Sequence, residues 1–550
     1  MRWPSKWLTR RRVFRCVLYG VATLAVLIAL FYFEENWRGL RAWNHFKAQA
    51  EAKGERFDRS ALTQSFVPDN ENFAVTPIMV SGYASGIDKT GNRIFPPLTN
   101  VVDRLAMGLI REDAPPNFEI MDSFTGPTNL SDWRYSKFTD LGFWQHHFRD
   151  PPKIKYVRPP QIRYRSWGAG PNITPLSESS SSPPINRFPV APHPQGPAAD
   201  VLLALSRYDS AIEELRKATL LPNSRFPVHY DSEEPSKFIR NSGARLLRCA
   251  EVLDLRSVAE LDLKNTSQAL QDVLMGLRLA EVATNELLKW RSWDSGVINM
   301  MIQPIWEGVA KHQWSDSQLR TLDDELGKVD FLAQYAKQVR EARTFALDEI
   351  EFLRKIHNKG IVSPSCVDDE NFGSWLIDKF FRAFPEGWYY ENELTAATAY
   401  QRMLTQLDLA TRVASIDRKQ DSFEAPEFGT VPLIHPCQIL ALLTRHDVPA
   451  IQYAYTQTSI DLARIACAAE RYRISFGKYP KSLNLLVPQY IFPLPRDLMN
   501  GEALHYSAKN DQLLIYSVGW DGVDDGGNVM KNRRGDRLLI DQGDWVFRCK

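Results

Sequence analysis

The sequence has few cysteines and no catalytic signature. Six of its 550 residues are cysteine, they lie far apart, and no Cys-x-x-Cys pair occurs. This spacing argues against a zinc site or a disulfide framework and favours buried, unreactive thiols. No HExxH, GxSxG or GxxxxGK[ST] segment is present. The sequence therefore predicts a protein that is not an enzyme.

A surplus of basic charge is also lacking outside the N-terminus. Beyond residue 33 the chain has 61 basic and 66 acidic residues, a net charge of −5, without a dense Lys/Arg face. Proteins that bind nucleic acid present a basic patch or stripe to the phosphate backbone. The composition predicts no nucleic-acid partner.

Long apolar runs are limited to one, from Cys16 to Phe33. As a helix, this run would span about 27 Å, enough to cross a slightly thinned bilayer core. Six basic residues and no acid precede it, and two glutamates follow it. Because basic flanks favour the cytoplasmic side, we expect residues 1–15 in the cytoplasm, a transmembrane helix over 16–33 in a bacterial inner membrane, and the rest of the chain in the periplasm. A cleaved signal peptide is the alternative, but no small-x-small cleavage site follows Phe33.

Composition divides the chain beyond the apolar run into four regions. Residues 34–167 are irregular and rich in proline and aromatic residues, except for helical character over Trp37–Lys53. Residues 168–197 form a Pro/Ser-rich linker or long loop, since they cannot bury enough apolar surface to offset backbone ordering. The pattern then predicts an α-helical domain over 198–456 and an α+β module over 457–550.

Residues 198–456 contain repeated helix signals. Asn265 with Gln268, and Ser315 with Gln318, have the spacing of a capping box. Apolar residues then recur every three or four positions, which predicts successive amphipathic helices packed as antiparallel hairpins. Leu253–Ala283 has the spacing of a tetratricopeptide-like unit, but no clean period of about 34 residues is present. We expect an irregular helical array, with a regular solenoid as the alternative.

An acidic, glycine-rich loop lies near the C-terminus, after the apolar run Leu513–Tyr516. Its three carboxylates are Asp521, Asp524 and Asp525. Hard oxygen ligands suit Ca²⁺, and glycines permit the turns that gather them. The pattern predicts a calcium site, with a solvated hairpin loop as the alternative. Basic residues at 531, 533 and 534 would weaken the binding of a cation.

The region before this loop carries a recognisable order of motifs. A helical segment ends in Gly477-Lys-Tyr-Pro480, and Leu486-Val-Pro488 follows. This order resembles the periplasmic domain of the type II secretion major pseudopilin. The resemblance implies a helix from about Ile460 to Phe476 packed on a small antiparallel sheet, with strands at 504–507 and 513–517 and a calcium loop after them. Spacings of three and four predict the buried stripe of that helix, which comprises Leu462, Ile465, Ala466, Ala469, Tyr472 and Phe476.

Four further segments resemble membrane-anchored bacterial proteins that have no assigned activity. They are Glu35–Gly39, Ser224–Val228, Gln303–Gly308 and Pro385–Tyr390. The resemblance implies a shared architecture and no particular chemistry.

The sequence as a whole predicts a mainly α protein. It comprises a transmembrane helix, an irregular, weakly tetratricopeptide-like ectodomain and a small pseudopilin-like α+β module. The expected function is that of a membrane-anchored scaffold with protein partners in the cell envelope. The alternatives are a component of a secretion or pilus-like assembly, and an envelope hydrolase whose site only the fold would reveal.

Overall fold

The computed structural model describes most of the chain in separate ranges. These are residues 10–57, 66–80, 86–87, 93–94, 132–149, 188–225, 242–284, 293–358, 384–414, 448–509, 511–533 and 538–549. Most of the expected linker over 168–197 lies outside them, and a helix begins at Pro197. The described chain is mainly helical, with a few small antiparallel sheets.

The helices and strands are numbered in chain order. The helices are α1 (Arg10–Glu51), α2 (Pro77–Val80), α3 (Leu141–Arg149), α4 (Pro197–Leu205), α5 (Asp209–Thr219), α6 (Ser242–Asp262), α7 (Thr266–Thr284), α8 (Trp293–Ala310), α9 (Asp316–Gly327), α10 (Phe331–Asn358), α11 (Glu386–Leu404) and α12 (Ala450–Phe476). The strands are β1 (Gly86–Ile87), β2 (Arg93–Ile94), β3 (Leu407–Asp408), β4 (Val413–Ala414), β5 (His505–Lys509), β6 (Gln512–Ser517), β7 (Val529–Lys531), β8 (Leu538–Gly543) and β9 (Trp545–Cys549).

Helix α12 lies at the centre of the main core. It packs against α8, α9 and α10 and also against β6, β8 and β9. Alanines at 463, 466, 468 and 469 are fully buried, and such small side chains let neighbouring elements approach closely. One continuous apolar core therefore includes both the helices and the C-terminal sheet. The expected domain boundary between 456 and 457 falls inside α12.

The stripe expected on this helix is correct over its first part and wrong at its end. Leu462, Ile465, Ala466 and Ala469 are fully buried. Tyr472 is half-buried, and Phe476 is 56% exposed. Burial extends around α12 rather than along one face, because elements pack on several sides of it. The helix ends as expected at Gly477, whose φ of 71° lies in the left-handed region that favours glycine.

The C-terminal sheet follows the expected pairing. Strand β6 is central, with β5 and β9 antiparallel on either side. His505 pairs with Tyr516, and Ser517 pairs with Trp545. Strands β7 and β8 form a separate antiparallel pair. This arrangement places the acidic loop between the end of β6 and the start of β7.

One of the two expected capping boxes forms. Ser315 accepts a hydrogen bond from the Gln318 backbone, and the Gln318 side chain accepts one from the Ser315 backbone, which opens α9. At the other position the side-chain amide of Asn265 donates to Glu260 and that of Gln268 donates to Asp272. Helix α7 still begins there, at Thr266.

A second, smaller core joins α1, α10 and α11. It includes Trp43 from α1, Ile350 from α10 and Ala397 from α11. Helix α10 contributes to both cores, since Tyr335 and Val339 belong to the main one. The expected transmembrane span over 16–33 lies within α1, which continues without a break to Glu51 and so includes most of the helix expected over Trp37–Lys53. The part of α1 beyond Phe33 contributes to the smaller core.

Several carboxyl groups are buried within this helical array. Burial raises the pKa of Asp272 to about 7 although Arg256 lies 3.4 Å away. Burial also raises the pKa of Glu393 to about 7 and that of Asp461 to about 6. A raised carboxyl pKa means that the folded state holds the proton at a pH where the unfolded state has released it.

We predict that the protein is more stable at about pH 5 than at about pH 8. Stability from these groups is fully present below their unfolded pKa and is lost as the pH rises through about 6 to 7, at a cost on the order of 1 kcal/mol per group. Glu393→Gln should reduce this loss. Thermal unfolding of the full chain across this pH range measures it, with the exposed Glu213→Gln as control. A midpoint that rises steadily with pH would contradict the prediction.

Candidate functional site

The acidic loop is held together by its own carboxylates. Asp521 accepts hydrogen bonds from the backbone N–H groups of Val523, at 3.0 Å, and Gly543, at 2.9 Å. Asp524 accepts one from the Tyr516 hydroxyl, at 3.1 Å, and one from the Gly526 N–H, at 2.9 Å. The Gly526 hydrogen bond is the main cause that lowers the pKa of Asp524. These two side chains therefore stabilise turns.

A fourth carboxylate, Asp544, is the buried centre of the loop. Its Oδ1 accepts from the Asp525 N–H at 3.3 Å, and its Oδ2 accepts from the Gly527 N–H at 2.6 Å and the Asn528 N–H at 3.3 Å. Burial raises its pKa in spite of these hydrogen bonds. Sequence reasoning missed Asp544 because it lies seventeen residues beyond the loop, after β8.

The relative positions of the three loop carboxylates decide whether the loop, as arranged, can bind calcium. Asp521, Asp524 and Asp525 each take part in a different local turn. Among the described residues, no group of three or more histidine, cysteine, aspartate or glutamate side chains is arranged to hold a metal ion. As arranged, the three carboxylates do not converge on one point, and calcium binding stays a prediction.

A charged cleft lies between α9, α12 and the segment 488–492. Its volume is about 440 Å³. Its charged lining residues are Arg320, Lys328, Arg464, Arg471, Asp323 and Asp324. Asp323 pairs with Arg464 at 2.8 Å and Asp316 pairs with Arg471 at 3.0 Å. Both pairs link α9 to α12 at intervals of seven residues, with the chain directions opposed, so the cleft follows two antiparallel helices.

The arginines of the cleft keep unused donors. Arg464 donates to Asp323 through Nε alone, and its guanidinium packs against Gly327, where a Cβ would lie 3.3 Å from the guanidinium carbon. Arg471 is buried and donates from Nε to Asp316 and from Nη1 to the Tyr490 carbonyl. Neither residue has a buried nitrogen without a partner, so their remaining N–H groups reach the solvent of the cleft.

The junction between α1 and α11 joins the apolar part of α1 to the rest of the fold. At the crossing, a Cβ on Gly387 would overlap the carbonyl of Glu35, and a Cβ on Gly39 would overlap that of Gly387. The two backbones are therefore in direct contact. The Asn36 side chain accepts from the Gly387 N–H at 2.8 Å at the start of α11.

Side chains on both helices complete this junction. The Trp388 indole donates to the buried Glu35 at 2.8 Å. Arg38 bridges Glu35 on its own helix and Glu391 on α11, at 2.7 and 2.8 Å. Trp388 also makes an edge contact with Phe31, within the apolar run. The contacts begin where the apolar run ends, so they fix the direction in which the apolar part of α1 leaves the rest of the fold.

The structure brings together segments that the sequence had only singled out. Glu35–Gly39 and Pro385–Tyr390 form the two sides of the junction. Gln303–Gly308 lies on α8, where Gln303 accepts from the Trp133 N–H at 2.6 Å and Glu307 accepts from the Thr139 N–H at 2.8 Å. The contact between Glu35–Gly39 and Pro385–Tyr390 cannot be predicted from the sequence, because these two segments lie about 350 positions apart.

Comparison with family models, curated proteins and solved structures found no match to this chain. The pseudopilin resemblance of the C-terminal region therefore stays a prediction. The junction, the cleft and the apolar helix are the features that bear on function.

We predict that Gly387→Ala weakens the seating of α1 on α11. The added methyl group must separate two backbones, and overpacking of this kind costs about 1–3 kcal/mol. The thermal midpoint of the full chain in detergent should fall. Gly196→Ala is the matched control, because a Cβ there has no atom within 4 Å. Equal midpoints for the two variants would show that the crossing tolerates a side chain.

We also predict a calcium effect on the acidic loop. If Asp521, Asp524 and Asp525 rearrange to bind one Ca²⁺, the ion adds about 2.7 kcal/mol of stability at a hundredfold excess over Kd. The measurement is the thermal unfolding of the full chain with calcium and with chelator. Asp524→Asn should abolish the difference, whereas Asp408→Asn, in a distant exposed turn, should keep it. An identical wild-type midpoint in both buffers would leave the loop as a solvated turn.

Proposed function

We propose that this chain is a membrane-anchored scaffold whose ectodomain is held in a fixed orientation at the bilayer surface. The observation that carries the proposal is the junction between α1 and α11. A flexible tether would need no such junction, whereas a scaffold that presents a defined surface does.

The apolar part of α1 supports the anchor. It is the one helix, among the described residues, that is long and apolar enough to cross a membrane, and none of its apolar window is buried. The whole helix of 42 residues is about 63 Å long, which is about twice the thickness of a bilayer core. Its second half therefore extends from the bilayer into the ectodomain.

The proposed orientation places the N-terminus in the cytoplasm and the bulk of the chain in the periplasm. It rests on the six basic residues before the apolar run and the acidic pair after it. The proposed partners are other envelope proteins, and the proposed role of the C-terminal α+β region is structural, because its core is continuous with that of the helices.

The second candidate is a part of a secretion or pilus-like assembly. The helix, its Gly477 end and the sheet that follows support it. The burial of α12 on several sides favours the scaffold instead, since a pilin-type helix must leave one face for neighbouring subunits. The charged cleft holds two carboxylates, Asp323 and Asp324, but Asp323 is paired with Arg464 at 2.8 Å, which does not favour an envelope hydrolase. Much of residues 54–165 lies outside the described part.

We predict that a reporter active only in the cytoplasm is silent when fused after Lys550. The reason is the charge asymmetry across the apolar run. A reporter active only outside the cytoplasm should work at the same position. Both fusions should be assayed in membranes that retain the full-length chain. The reverse pattern of activity would place the ectodomain in the cytoplasm and contradict the orientation.

A further inference from the structure

We propose that the cleft between α9 and α12 binds a multivalent phosphate-type oxyanion. This inference goes beyond the scaffold role and does not depend on membrane anchoring.

Among the described residues, one cation of the cleft has no ion-pair partner. Four cationic and two anionic side chains line the cleft, and two further acids, Asp316 and Glu325, pair with cations of the lining. Three of the cations have ion-pair partners: Arg464 with Asp323, Arg471 with Asp316, and Lys328 with Glu325 at 2.6 Å. Arg320 is exposed and has no hydrogen bond or ion pair with the described part of the chain. It is the cation most available to a ligand.

Hydrogen bonds fix the orientation of the other two guanidinium groups. Asp323 and Asp316 each hold the Nε edge of one arginine, and the Tyr490 carbonyl holds a second nitrogen of Arg471. The Arg471 guanidinium also lies over the Tyr490 ring, at 5.4 Å from its centroid. Oriented guanidinium groups lose little conformational entropy when they bind, and their planar donor forks suit oxyanions.

The positions of the three arginines indicate the shape of the ligand. Arg464 and Arg471 are separated by two turns of α12, about 10.5 Å along the axis. Arg320 lies between their partners on α9. Three donor groups from separate positions suit a ligand with oxygens in several directions better than one flat carboxylate. A chain of phosphates meets this requirement.

The rim of the cleft accommodates an apolar or aromatic group beside the anion. Pro488, Tyr490 and Ile491 form one wall, and Phe492 is largely exposed next to them. The volume of about 440 Å³ is large enough for a small phosphorylated molecule.

The test is calorimetric titration of inorganic triphosphate into the full chain in detergent, without divalent cations and at about 0.15 M salt. We expect saturable binding to one site. Arg320→Gln should weaken it roughly fivefold, the scale of one partly screened charge. Arg533→Gln removes another exposed arginine that lies outside the cleft and should leave the affinity unchanged.

Two further arms define the ligand class. Arg464→Gln should abolish binding, and near-native circular dichroism will show that the variant folds. Tricarballylate, with three carboxylates, should bind at least tenfold more weakly than triphosphate. Absence of saturable binding, or equal weakening by Arg320→Gln and Arg533→Gln, would overturn the site. Equal affinities for the two anions would overturn the assignment to phosphate.

Discussion

The packing of α12 on two kinds of neighbour is the constraint on which the rest of the structure depends. Three helices contact it, and strands of the C-terminal sheet contact it as well. Several polar groups on this helix are satisfied by hydrogen bonds, as where Gln457 accepts from the Phe331 N–H at 2.8 Å. Glu470, also fully buried, accepts from the Tyr479 hydroxyl and from Arg473. Because buried polar groups without partners are costly, this helix could not be removed from one neighbour without destabilising the other.

The same helix supplies one wall of the charged cleft, so the core and the proposed binding site share a scaffold. Arg464 and Arg471 extend from α12 to the acids on α9, where each ion pair is partly shielded from water. Exposed ion pairs contribute little to stability. Their value here is positional, because they fix the guanidinium groups that line the cleft.

The junction between α1 and α11 depends on close backbone contact instead. There, two glycines let the backbones of α1 and α11 touch. Beside this contact, Arg38 forms ion pairs with Glu35 and Glu391. Helix α10 then links this region to the main core, because its two halves belong to different apolar clusters. Helix α10 thereby connects α1 and α11 to α12.

The local elements could be predicted from the sequence alone. How they pack, and which sites they form, depends on tertiary contacts. The apolar run, the Ser315 cap, the Gly477 helix end and the pairing of β5 with β6 were all predictable, since each depends on neighbours within a few residues. The burial of α12 on several sides, the role of Asp544 and the contact of Gly39 with Gly387 were not. Each depends on contacts between distant parts of the chain, and periodicity within one helix does not reveal how many of its faces will be covered. The cleft is the clearest case, because its arginines look like an ordinary solvated face until α9 is placed beside them.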